Sequence, residues 1–394
     1  MIYIIGTIDT KGEELAFLAS LFESQEIPCQ VIDVSTQVHS LPTDISQKEI
    51  ASYHEKGETI LELTDRGQAI TFMSEALSTF LSTNAPSAVL GIGGSGGTSL
   101  ICKALRELPI GIPKLMVSTV ASGNTRPYIG ASDICMLYTV SDLAGLNSIS
   151  RKILSNAAHA IMGMVKAAPV TRTQDKSILG MTMFGVTTPC IQQIREQLKD
   201  QYDCMVFHAT GIGGQSMEKL IDSGLMEYVI DITLTEVCDH LMGGVLSAGE
   251  TRLDSIVKTK IPYIGSVGAL DMVNFGPIAS IPASYKGRNL YVHNPQVTLM
   301  RTTPEENQKM GVWISQKLNQ MEGPVRFFLP EKGLSLIDAP GKPFYDPEAN
   351  AALFRTLKDQ VQQTDQRVLI SLPYAINDPE FSQAIVETFN SLHA

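Results

Sequence analysis

The sequence predicts an α/β fold of two open sheets, and three observations carry that prediction. Short apolar runs alternate with longer amphipathic stretches almost throughout, the pattern of parallel strands joined by helices. At 394 residues the chain exceeds the size at which one core stops growing, so two domains are expected. Apolar periodicity then fails in "AAPVTRTQDKS", residues 167–177, a proline-containing linker that separates an N-terminal domain, 1–172, from a C-terminal domain, 173–394.

In the first domain, strands are expected at "MIYIIG", "CQVIDV", "SAVLGI", "KLMVST" and "ICMLYT", with helices over 11–24, 67–83, 96–107 and 143–166. Residues 41–66 are polar and mixed and read as an excursion outside the sheet, the kind of insertion from which substrate loops are built. The second domain repeats the alternation. Strands are expected at "SILGMTMFG", "DCMVFHAT", "EYVIDIT", "IPYIGS", "NLYVHN", "VRFFLP" and "RVLISLP", and helices over 188–200, 215–223, 303–321, 347–362 and 379–392. In both halves a strand ends in a glycine cluster, which is compatible either with duplication of one α/β unit or with convergence on one loop chemistry.

Composition narrows the function. The chain is 44% hydrophobic and 18% charged, with a net charge of -11 and no polybasic half, which argues against nucleic acid or anionic membrane as a partner. No apolar run reaches membrane-spanning length, and "MIYIIGTIDTKGEEL" lacks the basic start of a signal peptide, so a cytoplasmic protein is expected. The six cysteines form no CxxC pair and read as reduced, buried apolar fillers.

The first glycine cluster, "GIGGSGGTSL", places five glycines in residues 91–97 between an apolar strand and an expected helix. Backbone without Cβ atoms, leading into a helix whose first N–H groups have no partner, suits a phosphate group. Gly93, Gly94, Ser95, Gly96, Gly97 and Thr98 are therefore candidate phosphate contacts. Two named motifs nearly match. Gly91, Gly93 and Gly96 satisfy GxGxxG, but no acidic residue follows about 20 positions on to hold a ribose, which weakens a dinucleotide reading. A P-loop would need lysine where Gly97 stands.

Polar residues also gather after two other strands. Thr7, Asp9 and Lys11 follow the first, where open sheets bind ligands, although Asp9 or Thr10 could equally cap a helix. Thr119, Ser122, Asn124 and Arg126 follow "KLMVST", and arginine suits bidentate phosphate or carboxylate binding. Gly213 and Gly214, in "HATGIGGQSMEKL", offer a second cradle. In "DITLTEVCDHLMGG" a helix would place Glu236 and His240 on one face as a metal or acid/base pair, with Asp239 adjacent. Arg252, Asp271 and His293 could complete polar machinery for a small carboxylate or phosphorylated metabolite.

"GIGGSGGTSL", "TVASGNTRPYIG", "TGIGGQSMEKLID", "GALDMVNFG", "VHNPQV" and "VTLMRTTPEEN" resemble the family of the tomato mosaic virus resistance protein over the whole chain. The resemblance implies two Rossmann-like open-sheet subdomains with a cleft between them, ATP binding and homodimerisation. In plant members a phosphoenolpyruvate-mutase-like barrel follows this region, so such a barrel protein is a possible separate partner. The leading expectation is a Mg²⁺-assisted ATP-binding protein, with Asp9 as the nearest metal ligand. Its alternatives are a metabolite enzyme using Glu236, His240, Asp271 and His293, and a regulatory module without turnover.

Overall fold

The structure, a computed structural model, describes residues 1–167 and 176–392. It forms two compact units, Met1–Thr171 and Arg172–Ala394. Most of the expected linker, 168–175, lies outside the described residues.

Unit 1 runs β1 (Ile2–Gly6), α1 (Ile8–Glu23), β2 (Cys29–Asp33), α2 (Gln47–Ala51), α3 (Arg66–Thr83), β3 (Ala88–Gly93), α4 (Ser95–Glu107), β4 (Lys114–Ser118), α5 (Arg126–Ile129), β5 (Cys135–Tyr138) and α6 (Ser148–Lys166). The five strands form one parallel sheet, order β2-β1-β3-β4-β5. Alternation along β1 sends Ile2 and Ile4 to a core with α1 and α6, and Tyr3 and Ile5 to a core with α3 and α4. With both faces covered, the strands are apolar on both sides, which is why they read as continuous hydrophobic runs. The 41–66 excursion joins the sheet only through a single bridge, Ile32 to Ile45, and contributes α2 and a 3₁₀ turn.

Unit 2 runs β6 (Ile178–Met183), α7 (Thr188–Leu198), β7 (Asp203–His208), α8 (Ile212–Asp222), β8 (Tyr228–Thr233), α9 (Thr235–Met242), α10 (Asp254–Thr259), β9 (Tyr263–Gly268), β10 (Met272–Phe275), β11 (Leu290–Asn294), β12 (Val297–Arg301), α11 (Pro304–Gln320), β13 (Val325–Pro330), α12 (Pro347–Gln360), β14 (Arg367–Leu372) and α13 (Pro379–Leu392). Its six-stranded parallel sheet has the order β14-β13-β9-β8-β6-β7. Counted within the unit from β7, this is 2-1-3-4-5-6, the order of unit 1 with one more strand. The shared order matches a repeated unit, but the two glycine clusters are not equivalent: the first follows the third strand of its unit, the second follows the second strand, at the sheet edge.

"NLYVHN" departs from expectation. It forms β11 of a separate antiparallel sheet, β10-β12-β11, in which β12 is central. Three cysteines are buried and two partly so, while Cys135 is exposed, contrary to the expected apolar filler.

Candidate functional site

In a doubly wound sheet, the crevice forms where successive helices leave the strands toward opposite faces. In unit 1 that point lies between β1 and β3, because α1 packs on one face and α4 on the other. A cavity of about 580 Å³ opens there, lined by Thr7, Asp9 and Lys11 after β1, by Gly94, Ser95, Gly96 and Gly97 after β3, and by Thr119 after β4. Sequence reasoning assigned these eight to one site, and the topology brings them together.

Each wall has a local cause. Thr7 is the N-cap of α1 but its side chain makes no cap; it pairs with Thr10 Oγ1 at 2.7 Å. Asp33, fully buried at the end of β2, takes the N–H of Ile8 at 3.1 Å and that of Ser35 at 2.9 Å. Asp9 thus does not cap the helix; Oδ1 accepts from Ser35 Oγ at 3.1 Å, and the exposed carboxylate reaches the cavity. Lys11 breaks the first turn of α1 with φ −132 and ψ 21, and its ammonium donates to the carbonyl of Leu143, tying α1 to the segment after β5.

The glycines divide into two kinds. A Cβ on Gly91 would lie 2.7 Å from Met116 Sδ, and one on Gly93 2.9 Å from the Gly97 carbonyl carbon, so both are needed for strand and helix to pack. Packing therefore accounts for Gly93, which is not among the cavity's lining residues. Gly94, Gly96 and Gly97 are different: the nearest atoms to an added Cβ stand at 3.9, 3.4 and 3.8 Å, ordinary contact distances, and none of the three has a positive φ. Neither packing nor backbone conformation demands glycine there. Gly94 is also the N-cap of α4 without a side-chain cap, so the first N–H groups of a 13-residue helix face the cavity.

Four other expected contacts fall elsewhere. Thr98 is fully buried, its hydroxyl 2.6 Å from that of Ser118 and 3.3 Å from the Gly93 carbonyl, and it fastens the first turn of α4 to the ends of β3 and β4. Ser122 and Asn124, in the loop after β4, and Arg126, the first residue of α5, are exposed and do not line the cavity; Asn124 accepts the N–H of Arg126 in a local turn. The sequence reading missed Arg66, Gln37 and Asp142, all of which line the cavity. Arg66 and Gln37 flank or fall within the segment leading through the polar excursion, the only signal that pointed to them.

The second glycine loop is already filled by the protein. Glu236 accepts the N–H of Gly211 at 2.7 Å and of Gly214 at 3.0 Å, placing a carboxylate at the start of α8. Its other oxygen receives Arg252 Nε at 2.9 Å. Arg252, also fully buried, meets Asp231 at 2.8 Å and Glu218 at 3.1 Å. Burial pushes the Glu236 and Glu218 carboxyls above the usual range, opposed by the Arg252 charge. Burial also works against the charged guanidinium, but Asp231, Glu236 and Glu218 outweigh it and hold Arg252 firmly cationic. All three glycines have packing reasons: a Cβ on Gly213 would lie 1.8 Å from the His208 oxygen, one on Gly214 2.2 Å from Glu236 Oε2, and Gly211 has φ +85. Packing thus accounts for Gly213 and Gly214 without a ligand, and Glu236 serves as the anion that takes the Gly211 and Gly214 N–H groups.

The remaining catalytic candidates do not converge. α9 is helical as the spacing required, but His240 faces Trp313, with ring centroids 6.2 Å apart, while Glu236 is spent on Arg252. Asp271 is fully buried, accepts Ser335 Oγ at 2.8 Å, and is pushed up to about 7 by burial and by Asp338. His293 is exposed on β11. Among the described residues no group of three or more His, Cys, Asp or Glu side chains is arranged to hold a metal.

Sheet order and cavity define a class: a Rossmann-like α/β protein whose N-terminal sheet carries an open polar crevice at its strand-order reversal. The chain belongs to the Uncharacterised protein family (UPF0261), whose N-terminal domain matches residues 1–169 and whose C-terminal domain matches 176–393. A UPF0261 protein of Rhizobium meliloti is 51% identical over 99% of this chain and 98% of its own length. The ToMV resistance protein Tm-1 of Solanum lycopersicum is 45% identical over 98% of this chain, which spans 55% of that protein. Among solved structures, the UDP-GlcNAc 2-epimerase of Methanocaldococcus jannaschii aligns over 99% of both chains, at 8% identity and a TM-score of 0.23, too low to carry an argument. Among the described residues, no helix is long and apolar enough to cross a membrane.

Proposed function

We propose that this chain is a cytoplasmic nucleotide-binding protein that takes Mg²⁺·ATP in the unit 1 cavity, with phosphates on the N-terminus of α4. One observation carries the reading: Gly94, Gly96 and Gly97 lack side chains where neither packing nor φ requires it, and they do so around unpaired helix N–H groups in a polar cavity of about 580 Å³. A close-approaching anion accounts for that absence. Mg²⁺ binds through one or two carboxylates plus phosphate oxygens, and Asp9 and Asp142 line the same cavity. When bound, the metal would neutralise phosphate charge beside those carboxylates. Homodimerisation and association with a phosphoenolpyruvate-mutase-like barrel protein belong to the same proposal, and light scattering with and without such a protein tests them.

Isothermal titration with ATP and ADP, with and without Mg²⁺, tests the binding, followed by assay for released phosphate. Mg²⁺-dependent ATP binding is the expected result. Released phosphate identifies an ATP-using enzyme, binding without turnover identifies a regulatory nucleotide, and no binding refutes the reading.

A further inference from the structure

Asp271, in the turn between β9 and β10, and Asp338, in the segment between β13 and α12, are both fully buried. Ser335 touches both: its hydroxyl donates to Asp271 Oδ2 at 2.8 Å and its carbonyl accepts the Asp338 N–H at 3.2 Å. Asp338 Oδ2 accepts the Leu334 N–H at 2.9 Å and the Asn350 amide at 2.7 Å. The remaining oxygen of each carboxylate, Oδ1, has no hydrogen-bond donor among the described residues. Arg301 fills neither place. Its N–H groups go to Phe344, Thr302, Asp346 and Asn350, and Nη2 stands 3.8 Å from Asp338 Oδ1. One buried cation thus faces two buried carboxylates, each with one oxygen left without a donor, and both shortfalls are costly away from water. A single O–H on one carboxyl, donated to the other, removes the surplus charge and engages both oxygens.

We infer that Asp271 and Asp338 share one proton between their Oδ1 atoms, and that this proton latches the segment between β13 and α12 onto the β9–β10 turn. The segment carries Ala339, Pro340 and Tyr345, which with Asn350 of α12 line a cavity of about 550 Å³ beside the carboxyl ends of β13 and β14. Burial and the Asp338 charge push Asp271 up to about 7, against Arg301 and Ser335. The other ionisable groups around the pair are engaged elsewhere: Glu306 of α11 with Arg288, Asp346 with the Ala349 N–H, and Asp239 beside Cys238 on α9 with the N–H groups of Leu246 and Asn274. The raised value sets the sign. The latch is closed below about 7 and is lost as pH rises through it, when two adjacent anions face one guanidinium.

The test uses the full chain as wild type, Asp271→Asn, Asp338→Asn and the double variant, at pH 6 and pH 8. Each single substitution places an amide N–H where the proton sits, whereas the double variant has N–H groups on both sides and no acceptor. Infrared spectra, with the double variant's spectrum subtracted, should show a neutral carboxylic acid carbonyl in wild type at pH 6 that vanishes at pH 8. Asp239, also pushed up to about 7, cancels in that subtraction. Both single variants should lack the band. Hydrogen exchange of the amides in 333–346 should be equal in wild type and single variants at pH 6, and at least tenfold faster in wild type at pH 8. The double variant should melt below either single variant. An acid band that persists in Asp338→Asn makes Asp271 an isolated acid and overturns the shared proton, and absence of the band from wild type at pH 6 does so without any variant. Equal exchange at pH 8, or a double variant as stable as the singles, overturns the latch.

Discussion

Gly96→Ala separates a ligand-binding glycine from a packing glycine, because the two readings give opposite signs for stability. Gly96 is the second residue of α4, and the added methyl would meet Arg66 Nη2 and Ile70 Cδ1 at 3.4 Å, a distance that requires no movement. Alanine in a helix is worth about 0.5–1 kcal/mol over glycine. For a unit of this size that raises the melting temperature by roughly 1–4 °C. The same methyl stands where a phosphate must approach the helix N–H groups, and losing one charge-assisted hydrogen bond costs about 1.5–3 kcal/mol, roughly 10- to 150-fold in Kd. The expected variant is therefore more stable and binds Mg²⁺·ATP worse. Far-UV circular dichroism reads the unfolding of both units, whereas fluorescence of Trp313, the only tryptophan, reads unit 2 and serves as an internal control. Titration calorimetry reads the affinity. A fall in stability of more than about 1 kcal/mol would make Gly96 a packing residue after all, and unchanged affinity would remove the cradle.

Four further substitutions probe unit 2. Gly213→Ala and Gly214→Ala should each lower stability by about 3 kcal/mol or more, because the new methyl would overlap the His208 carbonyl or the Glu236 carboxylate; near-wild-type urea midpoints would contradict this. Arg252→Leu leaves Asp231, Glu236 and Glu218 buried without their cation and should cost about 3–5 kcal/mol, so soluble protein with a normal Trp313 signal would refute the assigned role. Asp271 gives a pH prediction. Its folded pKa is raised to about 7 from 3.8, so the folded state binds the proton more tightly than the unfolded chain. Its contribution is fully present below the unfolded value and is lost as pH rises through about 7, with a ceiling of about 4 kcal/mol. Stability of unit 2 should fall from pH 4 to pH 8, and Asp271→Asn should flatten that slope in denaturant titrations at several pH values.

What the sequence revealed follows from which forces are local. Strand positions in both main sheets were readable because a strand buried on both faces is apolar at every position, as in β1 and β3. Of the small sheet, β11 was expected as a strand, but β10, four residues long, and β12 were not, and nothing local showed that β11 leaves the parallel sheet. The residues after β1 and β3 could be assigned to one site because the chain order of a doubly wound sheet fixes which strand ends are neighbours. The acid/base reading of Glu236 and His240 failed for the opposite reason. Helical spacing was correct, but Arg252 arrives from 16 residues further along the chain, and no periodicity announces a long-range ion pair. Arg66 was overlooked because nothing local distinguishes an exposed arginine that lines a cavity from one on an open surface.

The two glycine loops look alike in sequence and differ in what stands against them. At α8 the helix N-terminus is already supplied with an anion, the Glu236 carboxylate, and Arg252 fixes that carboxylate from behind. Every glycine there is dictated by atoms of the protein itself. At α4 the same kind of helix end opens into a cavity, and the three glycines around it are dictated by no protein atom. Unit 2 thus serves as an internal reference for unit 1: it shows how this chain satisfies a glycine-lined helix end when the anion is its own. The α4 end has the glycines without such a carboxylate, and on the proposed reading the anion that completes the arrangement is a ligand's phosphate.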